Sequence, residues 1–211
     1  MDAAVYRGRV GERVVTAVVA AAFDAGGDEA VVRLMDRVGA RTPPRHRPHV
    51  SLGAVRLPED RLDEVTGVVA AVAAGAAPFR VELASAGIFV STRPPTPTSR
   101  GVLWLAPRPD PALRGLQAAV DAALAGAGHE RAFGDQVHPD HWVAHCTLAT
   151  RLDPPALGRA VTALTSGFRP VRTRVAALAT ILVGGRGDVA HAPLTGARPS
   201  NRPRPAASGS G

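Results

Sequence analysis

The chain reads as an α+β protein made of two copies of one unit, each an antiparallel sheet with two helices, and three observations say so. The tetrapeptide His-x-Ser/Thr-Leu occurs at His49-Val50-Ser51-Leu52 and again, 96 residues on, at His145-Cys146-Thr147-Leu148. Nine residues after each histidine stands a proline, Pro58 and Pro154, that opens a helical stretch. Short β-branched apolar runs alternate with amphipathic stretches of helical period along the chain. Together these predict two α/β lobes of about 80 to 90 residues each, set around a central cleft and related by a pseudo-two-fold axis.

Residues 1–12 form a mixed, Gly-containing lead-in, 13–196 a single domain of two lobes (about 13–90 and 101–196), and 197–211 (ARPSNRPRPAASGSG) a low-complexity tail expected to be disordered. The β-branched run 14–23 is a buried strand. Over 28–38, Val31, Val32, Leu34, Met35 and Val38 make one apolar helix face, with acids at its start and Arg37 near its end. Thr42-Pro43-Pro44 breaks that helix, and the His49 strand follows. Pro58-Glu59-Asp60 predicts a helix over 60–74 with proline in its first turn. Residues 79–90 read as a strand or a bent pair around Gly87, and 91–100 (STRPPTPTSR) as the linker, because its prolines cannot hold a ladder. The second half repeats the order: strand 101–106, helix 111–124, strand 141–149, helix 154–165, strands near 169–179 and 181–183. Phe79-Arg80 and Phe168-Arg169 are expected at equivalent strand starts.

With 211 residues and 45% hydrophobic content, the chain can bury a sizeable core. The longest apolar run, 14–23, is too short to span a bilayer and no signal-peptide pattern precedes it, so no membrane role and a cytoplasmic location are expected. The one cysteine, Cys146, excludes an internal disulfide and a thiolate metal site, and reads as core packing. All 25 basic residues are arginine and the net charge is +7, three of it from Arg198, Arg202 and Arg204 in the tail. Arg41, Arg45, Arg47 and Arg56 surround the first motif with no acid among them, a positive field suited to phosphate or, more plainly, a solvated loop. With 4% aromatics, a short RNA end or a mononucleotide fits better than an extended single strand.

In an extended chain alternate side chains share a face, so His49 projects with Ser51 and His145 with Thr147, while Val50, Leu52, Cys146 and Leu148 turn to the core. Two facing imidazoles can divide proton work at phosphorus, one taking a proton from the attacking oxygen and the other giving one to the leaving oxygen. The two hydroxyls can donate to non-bridging oxygens as charge builds. The same parity adds Arg47 to the first set and His141 to the second, each as a phosphate-binding candidate. Phe89, beside the linker, is a candidate to stack a base, and Trp104 and Trp142 read as structural. His138, His141 and His145 suggest zinc only if helical, and Pro139, the 143–148 strand pattern and the lack of an HExxH arrangement oppose it.

On these motifs the chain resembles the two-histidine (2H) phosphoesterase superfamily, in particular its bacterial 2′-5′ RNA ligase-like and RNA 2′,3′-cyclic phosphodiesterase branch, over roughly 13–195. The resemblance implies catalysis by His49, Ser51, His145 and Thr147 without metal or cofactor. It also implies 2′,3′-cyclic phosphate or 2′-5′ phosphodiester substrates on RNA ends or nucleotides, hydrolysis to a 2′-phosphate, and RNA ligation as the reverse reaction. An arginine close behind the second motif helps bind phosphate in such proteins; Arg151 is the counterpart, on the His145 face by strand parity. A monomer is expected. Two alternatives stand beside this reading, a small cyclic ester such as ADP-ribose 1″,2″-cyclic phosphate as substrate, and a non-catalytic RNA- or nucleotide-binding module.

Overall fold

Aspartates placed just before apolar helical stretches set where three of the four helices begin. The computed structural model describes residues 13–39, 46–91, 100–185 and 187–196. The lead-in, Arg41, Arg45, Thr42-Pro43-Pro44, most of the linker and the tail lie outside these residues. Strand β1 (Val14–Phe23) ends at Asp24, whose carboxylate caps helix α1 (Ala25–Arg37) by accepting the Gly27 N–H at 2.9 Å. Asp110 caps α3 (Pro111–Gly126) and Asp153 caps α4 (Pro154–Thr165), each with proline at the first helical positions, where its missing N–H costs nothing.

The first half continues through β2 (His49–Pro58), α2 (Leu62–Gly75) and β3 (Phe79–Ser91). The second half holds β4 (Arg100–Pro107), α3, β5 (Glu130–Arg131), β6 (Cys146–Leu152), α4, β7 (Val171–Leu182) and β8 (Asp188–Pro193). All pairings are antiparallel, in one eight-stranded sheet of order β5-β2-β1-β7-β3-β4-β6, with β8 alongside the far end of β7. The duplication is written into that order. β1 lies between β2 and β7 as β4 lies between β6 and β3, and the pseudo-axis passes through the β3–β7 pair, where Val81 opposes Thr173.

Helix residues Val31, Leu34, Val65, Val69, Leu116, Val120 and Leu164 pack with Val19, Val50, Leu83, Leu105 and Val175 of the sheet in one core. Gly27 is required where α1 meets β7, because a Cβ there would overlap the Thr173 side chain. The opposite face of β1 and β7 carries a separate cluster of Ala20, Ala22, Ala177, Ala179 and Ile181. Among the described residues no helix is long and apolar enough to cross a membrane.

Several local expectations are corrected. Pro58 ends β2 and is followed by a 3-10 turn, Glu59–Arg61, so α2 starts later than expected and without a side-chain cap. Residues 79–90 form one strand, its irregularity a bulge between Leu83 and Ser85 and not a bend at Gly87. The predicted strands 169–179 and 181–183 are one, β7, and Phe168-Arg169 precede it. Residues 141–145 are not strand; His141 sits in a turn, its N–H bonded to the His138 carbonyl at 3.0 Å.

Candidate active site

Strand β2 presents His49 and Ser51 on the face where their cross-strand partners on β1 are the small residues Ala22 and Ala20. Immediately after each hydroxyl residue the sheet slips by one residue. The register passes from Ser51 to Gly53 opposite consecutive residues of β1, and from Thr147 to Ala149 opposite consecutive residues of β4. Leu52 and Leu148 are thus equivalent β-bulge positions, both buried, and a bulge re-aims the side chains that flank it. The duplication extends to the imidazoles. His49 Nδ1 is 2.8 Å from the Arg47 carbonyl, and His145 Nδ1 is 2.8 Å from the Val143 carbonyl. A carbonyl only accepts, so each Nδ1 carries its hydrogen and each Nε2 keeps a lone pair when the ring is neutral.

Four strands separate β2 from β6. At about 4.8 Å per strand a flat sheet would hold the motifs roughly 24 Å apart. They are in contact instead. The His49 backbone N–H donates to the Cys146 sulfur, and the Trp142 indole N–H donates to the Ser51 carbonyl at 2.9 Å. Buried Gln117 of α3 donates to the Leu52 carbonyl at 3.3 Å and to the Val137 carbonyl at 3.0 Å, joining β2 to the segment that leads into β6. The sheet is therefore coiled until its two outer motifs meet. Among the described residues neither the Ser51 nor the Thr147 hydroxyl has a hydrogen-bond partner, so both are free to donate.

Burial pushes both imidazoles below the usual histidine pKa; the bonds to the Arg47 and Val143 carbonyls oppose that shift, and for His49 the neighbouring His46 and His145 add to it. Both shifts favour the neutral ring over the imidazolium. The Cys146 thiol, fully buried, is pushed up to about 12, which makes it packing and no nucleophile.

The flanks differ. Beside His145, Phe89 lies edge-on with ring centroids 4.9 Å apart, and Trp104 stacks on Phe89 at 4.8 Å and sits 5.9 Å from the imidazole. Trp104 is the cross-strand partner of both Thr147 and Gly87, and any Cβ at Gly87 would overlap its indole. Beside His49 the neighbours are ionic, with Asp28, Arg47 and His191 bonded in sequence.

A family model described as the 2′-5′ RNA ligase superfamily matches residues 23–186. The chain belongs to the 2′-5′ RNA ligase superfamily. Membership supports a 2H phosphoesterase-type activity, and the fold agrees. A crystal structure of TT0787 of Thermus thermophilus matches with TM-score 0.56 and 19% identity, covering 87% of this chain and 100% of that one. A crystal structure of a phosphoesterase matches with TM-score 0.52 and 15% identity, over 87% of this chain and 98% of its own. No curated protein matches the chain.

Within this superfamily member, the expected residues distribute unevenly. His49 and His145 lie near enough to act on one another electrostatically, Phe89 packs against His145, and Ser51 and Thr147 follow two residues after each histidine. Arg47, two residues before His49, has its guanidinium bonded to Asp28 while its side chain stays 34% exposed. His141 is exposed and packs at 6.1 Å against His138, away from the shared strand face assumed for it. Arg151 is exposed with φ 57° at a second irregularity of β6, between Ala149 and Leu152, so strand parity from His145 does not carry to it. The apolar strand around Trp104 marks it as structural, yet its cross-strand position opposite Thr147 puts it at the site. Trp142 is structural, as expected, through its bond to Ser51.

Proposed function

We propose that the chain is a cyclic phosphodiesterase that hydrolyses 2′,3′-cyclic phosphate ends of RNA or of nucleotides to 2′-phosphates without metal or cofactor, and that 2′-5′ RNA ligation is the same displacement of the 3′ oxygen with a 5′ hydroxyl in place of water, reversible by cleavage of the 2′-5′ bond. One observation carries this reading. Two imidazoles at the starts of equivalent bulged strands, His49 opening β2 and His145 just ahead of β6, each with Nδ1 bonded to the carbonyl two residues back and Nε2 unengaged, sit beside two hydroxyls without a partner among the described residues. Binding alone needs no such matched pair of proton carriers.

One Nε2 takes a proton from water as its oxygen bonds to phosphorus. The P–O3′ bond breaks, and the other ring, entering as imidazolium, gives its proton to the leaving 3′ oxygen. Ser51 and Thr147 donate to the non-bridging oxygens, whose charge grows in the transition state. The substrate's ring system lies on the Phe89–Trp104 pair, the aromatic side of the cleft, and exposed Arg151 meets phosphate from solvent. The protein acts as a cytoplasmic monomer.

The test is hydrolysis of a short RNA ending in a 2′,3′-cyclic phosphate, in EDTA, by wild type, His49→Ala and His145→Ala, with the product phosphate located. Turnover to a 2′-phosphate, falling by about 10²- to 10⁴-fold in each variant, is expected. A folded wild type that does not turn over, or a His145→Ala variant at full rate, refutes the proposal.

A further inference from the structure

The two motifs match atom for atom at the imidazoles but not behind them. The carbonyl that holds His145 belongs to Val143, an apolar residue 46% exposed with no hydrogen-bonding side chain. The carbonyl that holds His49 belongs to Arg47, and that residue is tied down on two sides. Its Nε donates to Asp28 Oδ2 at 2.8 Å and its Nη2 donates to the same oxygen, while Nη1 donates to His191 Nε2, 3.0 Å away on β8. Asp28 is in the first turn of α1, its side chain 15% exposed, so the ion pair is held in a helix that is itself capped by Asp24 and docked through Gly27 on β7. Pro48, buried between Arg47 and His49, fixes its own φ and confines Arg47 to extended backbone.

The chain of links runs from α1 and β8 through Arg47 and ends at His49. We propose that Asp28 and Arg47 are positioning residues for His49: their ion pair sets the Arg47 carbonyl, which holds the His49 ring in its Nδ1–H form with Nε2 toward the cleft. Three of the five guanidinium hydrogens are engaged in this duty, so Arg47 is not the phosphate clamp that its sequence position suggests. The arrangement makes the two halves unequal. The first histidine is preset by α1 and β8, and the second takes its orientation from a loop. The catalytic part of this inference rests on the proposed role of His49; the structural part does not.

The experiment compares wild type, Arg47→Met, Arg47→Lys, Asp28→Asn and the Arg47→Met/Asp28→Asn double variant. Imidazole ¹⁵N shifts are read by NMR without substrate, and kcat and KM on the cyclic-phosphate RNA with it. Loss of either partner is expected to move the His49 nitrogens from the single Nδ1–H pattern toward the averaged values of mixed tautomers, leaving those of His145 in place. It should lower kcat tenfold or more with KM within twofold. The double variant should be no worse than either single one, and Arg47→Lys, which keeps a cation beside Asp28, should lie between. A raised KM with kcat intact in Arg47→Met overturns the inference in favour of phosphate binding, and unmoved His49 nitrogens in folded variants overturn it outright. If wild type hydrolyses no cyclic phosphate yet the His49 nitrogens still depend on Asp28, the positioning stands and the functional reading alone fails.

Discussion

Removing one hydrogen-bond donor from the contact between the two halves tests how the cleft is closed. In Trp142→Phe the ring stays against the core and the indole N–H that reaches the Ser51 carbonyl at 2.9 Å is lost. A part-buried neutral hydrogen bond is worth about 1 kcal/mol. For a chain of this size that is a fall of about 2–4 °C in Tm, measured by calorimetry. Trp142→Ala loses the packing as well; full burial would put that at ~3–5 kcal/mol, and the half-buried indole brings it to roughly half. The rate should suffer more than the stability. Because this bond is one of the few that span from the β6 side to β2, its loss lets the imidazoles separate, and misplacement by about 1 Å can cost on the order of 10²-fold. A kcat/KM reduced at least tenfold in Trp142→Phe is expected. Wild-type kcat/KM with the lowered Tm refutes the idea that this contact sets the geometry.

Four further outcomes are expected. Both histidines have folded pKa values below 6.5, so between those values and 6.5 the unfolded chain binds more protons; stability holds above pH 7 and falls as pH drops through that window. Denaturant melts from pH 8 to 5 should show the fall in wild type and lose it in His49→Asn/His145→Asn, a control that also separates it from Asp28, whose carboxyl pKa burial raises. The kcat/KM profile should be a bell centred on the acid side of pH 6.5, and a monotonic profile with chemistry limiting contradicts the paired role. Cys146, buried with its pKa at about 12, should resist thiol reagents until the protein unfolds; rapid native labelling counts against the packing role. Arg151→Gly relieves a left-handed backbone that costs a side chain about 1–2 kcal/mol, less the entropy of glycine, so Tm should rise by a few degrees while KM for cyclic phosphate increases; an unchanged KM removes Arg151 from the site.

The repeated tetrapeptide carries most of what is legible in the sequence. Its period predicts the duplication that the strand order displays, and the helices announced by Asp-Pro, α3 and α4, begin where expected. The readings that fail depend on information that is not local. Alternation places Arg151 beside His145, but alternation holds only until a bulge intervenes, and β6 has two. An apolar strand assigns Trp104 to packing; its role at the site comes from register, which sets it opposite Thr147. Arg47 is rightly placed next to His49, but its partner Asp28 is 19 residues earlier on a helix, and nothing in spacing pairs them. β8 escapes notice because its exposure alternates along an edge beside β7 with no apolar run to mark it.

The coiling of a single sheet has a consequence for how activity is lost. Among the described strands β6 ends the order and pairs with β4 alone, so of the elements carrying motif residues it is the one positioned to fray first. Fraying there withdraws Cys146 and Trp142 from β2 and pulls half of the acid–base pair away while the β1–β7–β3 centre is intact. The temperature at which turnover is reversibly extinguished should therefore lie below the melting temperature of the core. Ligand in the cleft, by tying the sheet's first and last thirds together, should narrow that gap.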